Sequence, residues 1–241
     1  MNRTSIDWAR DTALTGDPAS VLPETVLFLL REYVSGGVDA VRDSAEQGLT
    51  HGLDAGITDA DPCRRIQWLR VLADAAAVSD DERLKARVAE ALPSAIDALE
   101  SRVRRTYEPG EGLLDQSCGA QLQCGSALLA AFDLSGRLPY AMLAEELLQQ
   151  ARSRWWNDER ATYDTDFADN CVALRVLCGL VGLHADPSYR AAAVLTPGSR
   201  CADDARRLAA VLTQLSVEHP QSAGPFGCAL LEWFALESNL Q

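Results

Sequence analysis

Basic residues are scarce in this chain of 241 residues. Lysine and arginine together number 22 against 35 aspartates and glutamates, which gives a formal net charge of -13 at pH 7. A field of that sign repels phosphate backbones and anionic membrane surfaces, although excess acid also keeps a surface soluble. The composition therefore argues against nucleic acid and membranes as partners, and it is compatible with a saccharide or another small polar metabolite.

Long apolar runs and cysteine motifs are missing as well. The most apolar stretch, VALRVLCGLVGL at 172–183, is too short to span a bilayer and contains Arg175. The first ten residues lack the apolar segment of a signal peptide. The seven cysteines include no CxxC pair and no histidine at zinc-ligand spacing, which favours reduced core residues. We therefore expect a cytoplasmic protein with no metal and no cofactor.

Alternating strand patterns are also absent, whereas apolar residues recur at intervals of three and four nearly everywhere. This periodicity predicts an all-α protein whose helices end at turn residues such as Gly36-Gly37 and Pro197-Gly198. The predicted helices lie near 21–34, 37–54, 62–78, 82–104, 116–134, 138–155, 168–184, 187–195, 202–217 and 225–238.

An internal repeat becomes visible when those turns are used as anchors. The segments 68–84, 127–140 and 173–189 each join an apolar helix to a second helix through a short polar turn. Leu72, Leu128 and Leu177 align with one another, as do Leu84, Tyr140 and Tyr189. A hairpin of this size cannot bury its own apolar stripe, so neighbouring hairpins must stack. The sequence predicts a single domain over 1–241, an (α/α) toroid-like array of about five helix hairpins that forms a closed or an incomplete ring. An ordinary helical bundle is the alternative.

Three segments carry a resemblance to a known family. The motifs are Leu114-Asp115, the aromatic and acidic turn Trp156-Asn157-Asp158, and Asn170 before the next hairpin, within segments 112–159, 166–193 and 219–234. Over 61–234 the chain resembles a shortened carboxy-terminal helical region of the thioredoxin-domain-containing, spermatogenesis-associated-protein family. That region is similar in turn to N-acylglucosamine 2-epimerases and six-hairpin glycosidases, so the resemblance implies a carbohydrate-related function.

The chain departs from that pattern in three places. Arg160-Ala161-Thr162 replaces the glycine pair that usually follows the aromatic and acidic turn, and the thioredoxin domain is missing. The three histidines, His51, His184 and His219, do not fall where the resemblance would place the proton-transfer histidines of an epimerase.

Hairpin topology gathers acids and aromatic rings at one end of the array, because all loops that follow the second helix of a hairpin emerge there. Glycoside hydrolysis requires two carboxylates, and a flat ring offers an apolar face to a sugar. The opposite end has short connections around Ser79, Ser135 and His184 and is predicted to leave little room for a site. The predicted catalytic residues are Asp115, Asp166 and Asp169, and the predicted substrate-binding residues are Glu108, Trp155, Trp156, Tyr163 and Asn170.

Each of these residues also has a purely structural interpretation. Asp115, Asp166 and Asp169 stand at helix starts, where a carboxylate caps backbone amides, and the tryptophan pair ends a helix, where a ring anchors the core. The acids of DTDFAD at 164–169 could ligate calcium, but the segment lacks the glycine and the distal glutamate of an EF-hand loop.

The resulting hypothesis is a carbohydrate-related helical toroid that binds or processes a saccharide at its carboxylate-rich end. If it is an enzyme, the chemistry would be glycoside hydrolase-like or sugar isomerase-like. The alternative is a non-catalytic module that binds another protein or forms a homodimer.

Overall fold

The computed structural model describes residues 4–15, 22–105, 112–192 and 198–239. Within them the chain is almost entirely helical, with one short antiparallel hairpin in which Trp156 pairs with Tyr163. The elements are α1 (Thr4–Ala13), α2 (Pro23–Val34), α3 (Asp39–Asp54), α4 (Pro62–Ser79), α5 (Glu82–Val103), α6 (Cys118–Ser135), α7 (Leu138–Trp155), β1 (Trp156–Asn157), β2 (Thr162–Tyr163), α8 (Phe167–Ala185), α9 (Pro187–Ala192), α10 (Gly198–Leu215) and α11 (Ala223–Asn239).

Five of these helices form an inner ring. Helices α2, α4, α6, α8 and α11 each pack against the next, and α11 packs back against α2, so the ring is closed. Each inner helix also packs against one outer helix, in the pairs α2 with α3, α4 with α5, α6 with α7, α8 with α10, and α11 with α1. The predicted all-α hairpin array is confirmed. Because α11 contacts α2, the ring is closed rather than incomplete.

Polar side chains fix where the inner helices begin. The carboxylates of Asp61 and Asp166 and the hydroxyl of Ser117 each accept a backbone N–H in the first turn of α4, α8 and α6. At the other end of α4, Asp80 adopts a left-handed conformation with φ of 51°, and Gly136 does the same after α6. Because inner and outer helices alternate along the chain, the inner helices share one direction, and residues near the amino ends of α2, α4, α8 and α11 line one cavity together.

Inner helices are buried nearly all round, which explains their composition. Among the described residues α8 alone is long and apolar enough to cross a bilayer, and its position between α6, α10 and α11 accounts for that composition. The repeat positions Leu72, Leu128 and Leu177 are all fully buried. The repeat in the sequence therefore corresponds to successive hairpins of the ring.

Candidate functional site

A cavity of about 770 Å³ occupies the axis of the ring, and side chains from all five inner helices line it. Its size falls within the range of small-molecule sites. Most of its wall belongs to the carboxy-terminal halves of these helices, and the exposed Val34 and Val78 stand at its mouth. We refer to it as the axial cavity.

The prediction that this end leaves little room for a site is wrong. The connections around Ser79 and Ser135 are indeed short. However, the width of the axial space depends on how many helices surround it, whereas the turns only determine how much of the mouth is covered.

A smaller cavity of about 200 Å³ lies toward the opposite end of the ring. Asp61, Arg64 and Gln123 belong to its wall, together with residues from the amino ends of α2, α8 and α11. Glu24 and Gln67 line both spaces. These two side chains therefore stand where the two cavities approach each other along the axis.

Two arginines and two glutamates from three inner helices meet in the wall of the axial cavity. Arg175 donates to Glu232 through Nε at 3.2 Å and through Nη2 at 3.3 Å, so the contact is bidentate. Arg31 donates to the same carboxylate at 2.9 Å. Glu24 places Oε1 3.6 Å from Nη1 of Arg175. We call Glu24, Arg31, Arg175 and Glu232 the arginine–glutamate cluster.

Arg175 and Glu232 are ionised despite their burial. Burial opposes the charged form of Glu232, but the positive charges of Arg175 and Arg31 outweigh it and hold the pKa of that carboxyl below its ordinary value. Burial likewise opposes the charged form of Arg175, but neighbouring groups that include Glu232 and Glu24 raise the pKa of its guanidinium. Arg175 therefore presents a charged donor, and Glu232 a charged acceptor, at neutral pH.

A second charged group lies nearer the mouth of the axial cavity. Arg70 of α4 donates to Asp74 at 3.1 Å and also to Asp133 of α6. Burial opposes the charged form of Arg70, but both carboxylates raise the pKa of its guanidinium. Among the described residues, three guanidinium groups and four carboxylates line the axial cavity, which leaves an excess of one negative charge.

Two titratable groups of the cavity lining have pKa values shifted away from those that nucleophilic or general acid catalysis needs at neutral pH. Its described residues include neither a histidine nor an aromatic ring. Cys178 lines the cavity, but burial raises the pKa of its thiol, so it is not an activated nucleophile. Glu232 has a lowered pKa, which is the opposite of what a general acid needs at neutral pH.

Two of the three predicted catalytic aspartates, Asp166 and Asp169, lie at the amino end of α8. Asp166 is exposed and accepts the backbone N–H of Asp169 at 2.8 Å, as a helix cap does. Asp169 accepts hydrogen bonds from Thr165 Oγ1 at 2.8 Å and from Gln123 Nε2 at 3.2 Å. Gln123 lines the smaller cavity and Asp169 does not. Asp169 therefore contacts a residue of the cavity wall without lining the cavity itself.

The predicted substrate-binding aromatics surround the short hairpin. The Trp156 ring has the guanidinium groups of Arg152 and Arg207 each 5.7 Å from its centre. Trp155 is half-buried against the core, with Arg154 5.8 Å from its ring. Neither tryptophan lines the axial cavity or the smaller cavity.

Tyr163 and Asn170 hold this hairpin against α8. The Asn170 amide accepts from the backbone N–H of Tyr163 at 2.9 Å and donates to its carbonyl at 3.1 Å, and both side chains are buried. Neither residue lines one of the two cavities. Their contacts fix the backbone between α7 and α8.

Two predicted site residues remain without a described side chain. Glu108 lies outside the described residues, and Asp115 ends a short 3₁₀ turn, Leu113–Asp115, without a described side chain. Their predicted roles stay predictions. Within the part of the chain that the structure describes, no group of three or more histidines, cysteines and acids is placed to hold a metal ion.

The arginine–glutamate cluster was not identified from the sequence. Arg175 was visible as a charge inside the apolar stretch 172–183, and Glu24 and Glu232 likewise stand inside apolar helices. A lone charge on a helix that is otherwise buried requires a partner, which is the signal that could have found the cluster. The sequence does not show which of these charges pair with one another, because the partners are far apart along the chain.

Comparisons with known proteins give little beyond the fold. No protein-family model matches the chain, and no curated protein sequence matches it, so the resemblance to the spermatogenesis-associated family stays a prediction. Among solved structures, a sugar epimerase from a ruminal bacterium is similar at 14% identity with a TM-score of 0.49. The match covers 78% of this chain and 58% of the epimerase.

Proposed function

We propose that the protein binds a saccharide, or a similarly small polar metabolite, in the axial cavity. The observation that carries the proposal is the arginine–glutamate cluster in the wall of a cavity of about 770 Å³. Donors and acceptors held by one another cannot reorient freely, so they are arranged in advance for a ligand that offers both kinds of group. Hydroxyl-rich molecules do so.

The remainder of the lining suits the carbon skeleton of such a ligand. Leu27, Val71 and Val176 contribute apolar surface from three different helices. Ligand sites commonly combine an apolar wall with a few convergent polar groups that fix orientation. Since the described lining holds no aromatic ring, recognition would depend on hydrogen bonds to charged groups, which are stronger than bonds between neutral ones.

Processing of the saccharide is the finer proposal, and it concerns the carboxylate-rich end. Hydrolysis of a glycosidic bond would use Asp115 together with Asp169 or Asp166. Asp115→Asn and Asp169→Asn should each abolish release of nitrophenol from nitrophenyl glycosides if these two acids form the catalytic pair. Unchanged rates in both variants would end this part of the proposal.

Binding can be tested by closing the mouth of the axial cavity. Isothermal titration with D-glucose, D-mannose and D-galactose would measure affinity for the wild type, for Ala77→Trp and for Ala235→Trp. Both alanines are exposed residues of the cavity wall, so an indole there should block entry and lower affinity about tenfold or more. Ala86→Trp, on the exposed face of α5, is the matched control and should bind as the wild type does.

Two outcomes would overturn the binding proposal. The first is that the wild type binds none of the three hexoses. The second is that Ala77→Trp and Ala235→Trp bind as tightly as Ala86→Trp, which would place the ligand elsewhere.

A protein-interaction module is the second candidate, and exposed apolar side chains near the cavity mouth favour it. Val34, Val38 and Val78 are 56%, 63% and 53% exposed. Apolar side chains grouped on a surface mark interaction sites. Sedimentation velocity would show a dimer that Val38→Glu dissociates; a monomer at all concentrations would contradict self-association.

A further inference from the structure

Among the charged and amide side chains of the described lining, Glu24 and Gln67 alone belong to the walls of both cavities. Both line the axial cavity and the smaller cavity, and both are buried, at 6% and 8% exposure. Glu24 lies in the first turn of α2, and Gln67 lies in the first half of α4. The two residues therefore lie on adjoining inner helices that pack together.

The Gln67 amide nitrogen is buried and has no hydrogen-bond partner among the described residues. Such a donor destabilises a folded chain, and native proteins retain few of them. The terminal torsion of a glutamine is soft, so the amide can turn its nitrogen toward a group in either cavity. An acceptor on a bound ligand would satisfy it.

The Glu24 carboxylate has unused acceptor capacity. Its ion pair with Arg175 spans 3.6 Å, which is longer than a hydrogen bond, and no described residue donates one to it. An ionised carboxylate offers about four acceptor sites. A donor on a bound ligand would therefore find a ready partner at Glu24.

The two requirements together select a chemical group. A phosphate or carboxylate would satisfy Gln67 but would be repelled by Glu24, and an ammonium would satisfy Glu24 but leave Gln67 without an acceptor. A hydroxyl both donates and accepts, as do two neighbouring hydroxyls of one sugar ring. We propose that Glu24 and Gln67 form a hydroxyl subsite for a polyhydroxylated ligand where the axial cavity adjoins the smaller one. This inference rests on the proposed function and specifies its chemistry.

The test compares affinity with stability in two variants. Gln67→Met keeps the length of the side chain and removes the amide, and Glu24→Gln removes the charge. Each should lower the affinity for the tightest binder among D-glucose, D-mannose and D-galactose about tenfold. Gln67→Met should melt no lower than the wild type, because the unsatisfied buried donor is gone. Gln149→Leu, on α7 and in neither cavity wall, is the matched control and should leave affinity unchanged.

Monodeoxy forms of the same hexose identify the hydroxyl. One of them should bind the wild type about tenfold more weakly than the parent sugar, and that difference should disappear in Gln67→Met, since the two changes remove the same bond. If the wild type binds no hexose, the proposed function and the subsite both fail. If Ala77→Trp abolishes hexose binding but Gln67→Met and Glu24→Gln bind as the control does, the subsite alone is wrong.

Discussion

Acidic residues serve different purposes in two regions of this molecule. At the amino ends of the inner helices, Asp61 and Asp166 accept hydrogen bonds from backbone amides within three residues of themselves. Along the axis, Glu24 and Glu232 pair instead with arginines on other helices. Glu232 and its partner Arg31 are 201 positions apart in the sequence.

The capping acids have a local structural role, whereas the acids paired with arginines belong to the candidate binding site. A capping acid is satisfied by its own helix and needs nothing from the rest of the fold. An acid held by distant arginines depends on the closed ring, and it costs free energy to bury, so the proposed binding role supplies a reason for the residue that stability alone does not.

The largest effect should follow from loss of the central arginine. Arg175→Met leaves the carboxylates of Glu232 and Glu24 with fewer partners in a buried site, which should lower the free energy of unfolding by about 3 kcal/mol. Urea denaturation measures it. Arg206→Met, which breaks an exposed pair with Asp203, should cost less than about 1 kcal/mol. Equal costs would contradict the contrast between the two regions.

The pH dependence of the cluster is the next largest effect. Because the pKa of Glu232 is lower in the folded chain, its ionised form contributes stability that is present above the unfolded pKa of about 4.3 and is lost as pH falls through the folded value. The difference in unfolding free energy between the wild type and Glu232→Gln should therefore shrink from pH 6 toward pH 3. A constant difference across urea titrations in that range would disprove it.

A smaller loss is expected at the capping end. Asp166→Ala removes the side-chain cap of α8 and should lower the free energy of unfolding by about 1 kcal/mol. If the acid is structural only, hexose affinity in the same variant should equal that of the wild type. Asp164→Ala, at a neighbouring exposed carboxylate, is the control and should change neither quantity.

The smallest effect concerns a contact between outer helices. Tyr140 of α7 donates to Glu100 of α5 at 2.5 Å, and Glu100 is partly exposed. Tyr140→Phe should therefore cost only about 0.5 to 1 kcal/mol, measured by thermal melting. A larger loss would mean that the interface between outer helices contributes as much as the axial cluster.

The same tyrosine shows how far the sequence could lead. The repeat aligned Tyr140 with Tyr189, and in the structure Tyr189 donates to Glu145 on the outer helix of the preceding hairpin, as Tyr140 does to Glu100. Helical periodicity and turn residues also placed most helix ends within a few residues, because both signals are local. The two aligned tyrosines therefore make equivalent contacts, which the alignment itself did not predict.

The features that could not be predicted from the sequence are either contacts between distant residues or segments with a weak apolar pattern. Helix α1 was missed because it buries only Ile6 and Ala9 and gains its stability by packing on α11. The axial cluster was missed because Glu24 and Arg175 are 151 positions apart and meet only when the ring closes. Asp166 and its neighbours stand out in the sequence instead, because they are dense in one segment, and capping explains that density equally well.

The pairing of α1 with α11 has a consequence for the order of folding. The three hairpins α2–α3, α4–α5 and α6–α7 join helices adjacent in sequence, whereas the fifth pair joins the first described helix to the last. Contacts of such separation form late, because a long loop must close before they contribute. During synthesis α1 and α2 can pack on α11 only after the intervening helices have been made, so the inner ring, and with it the walls of the axial cavity, closes after the earlier hairpins have formed.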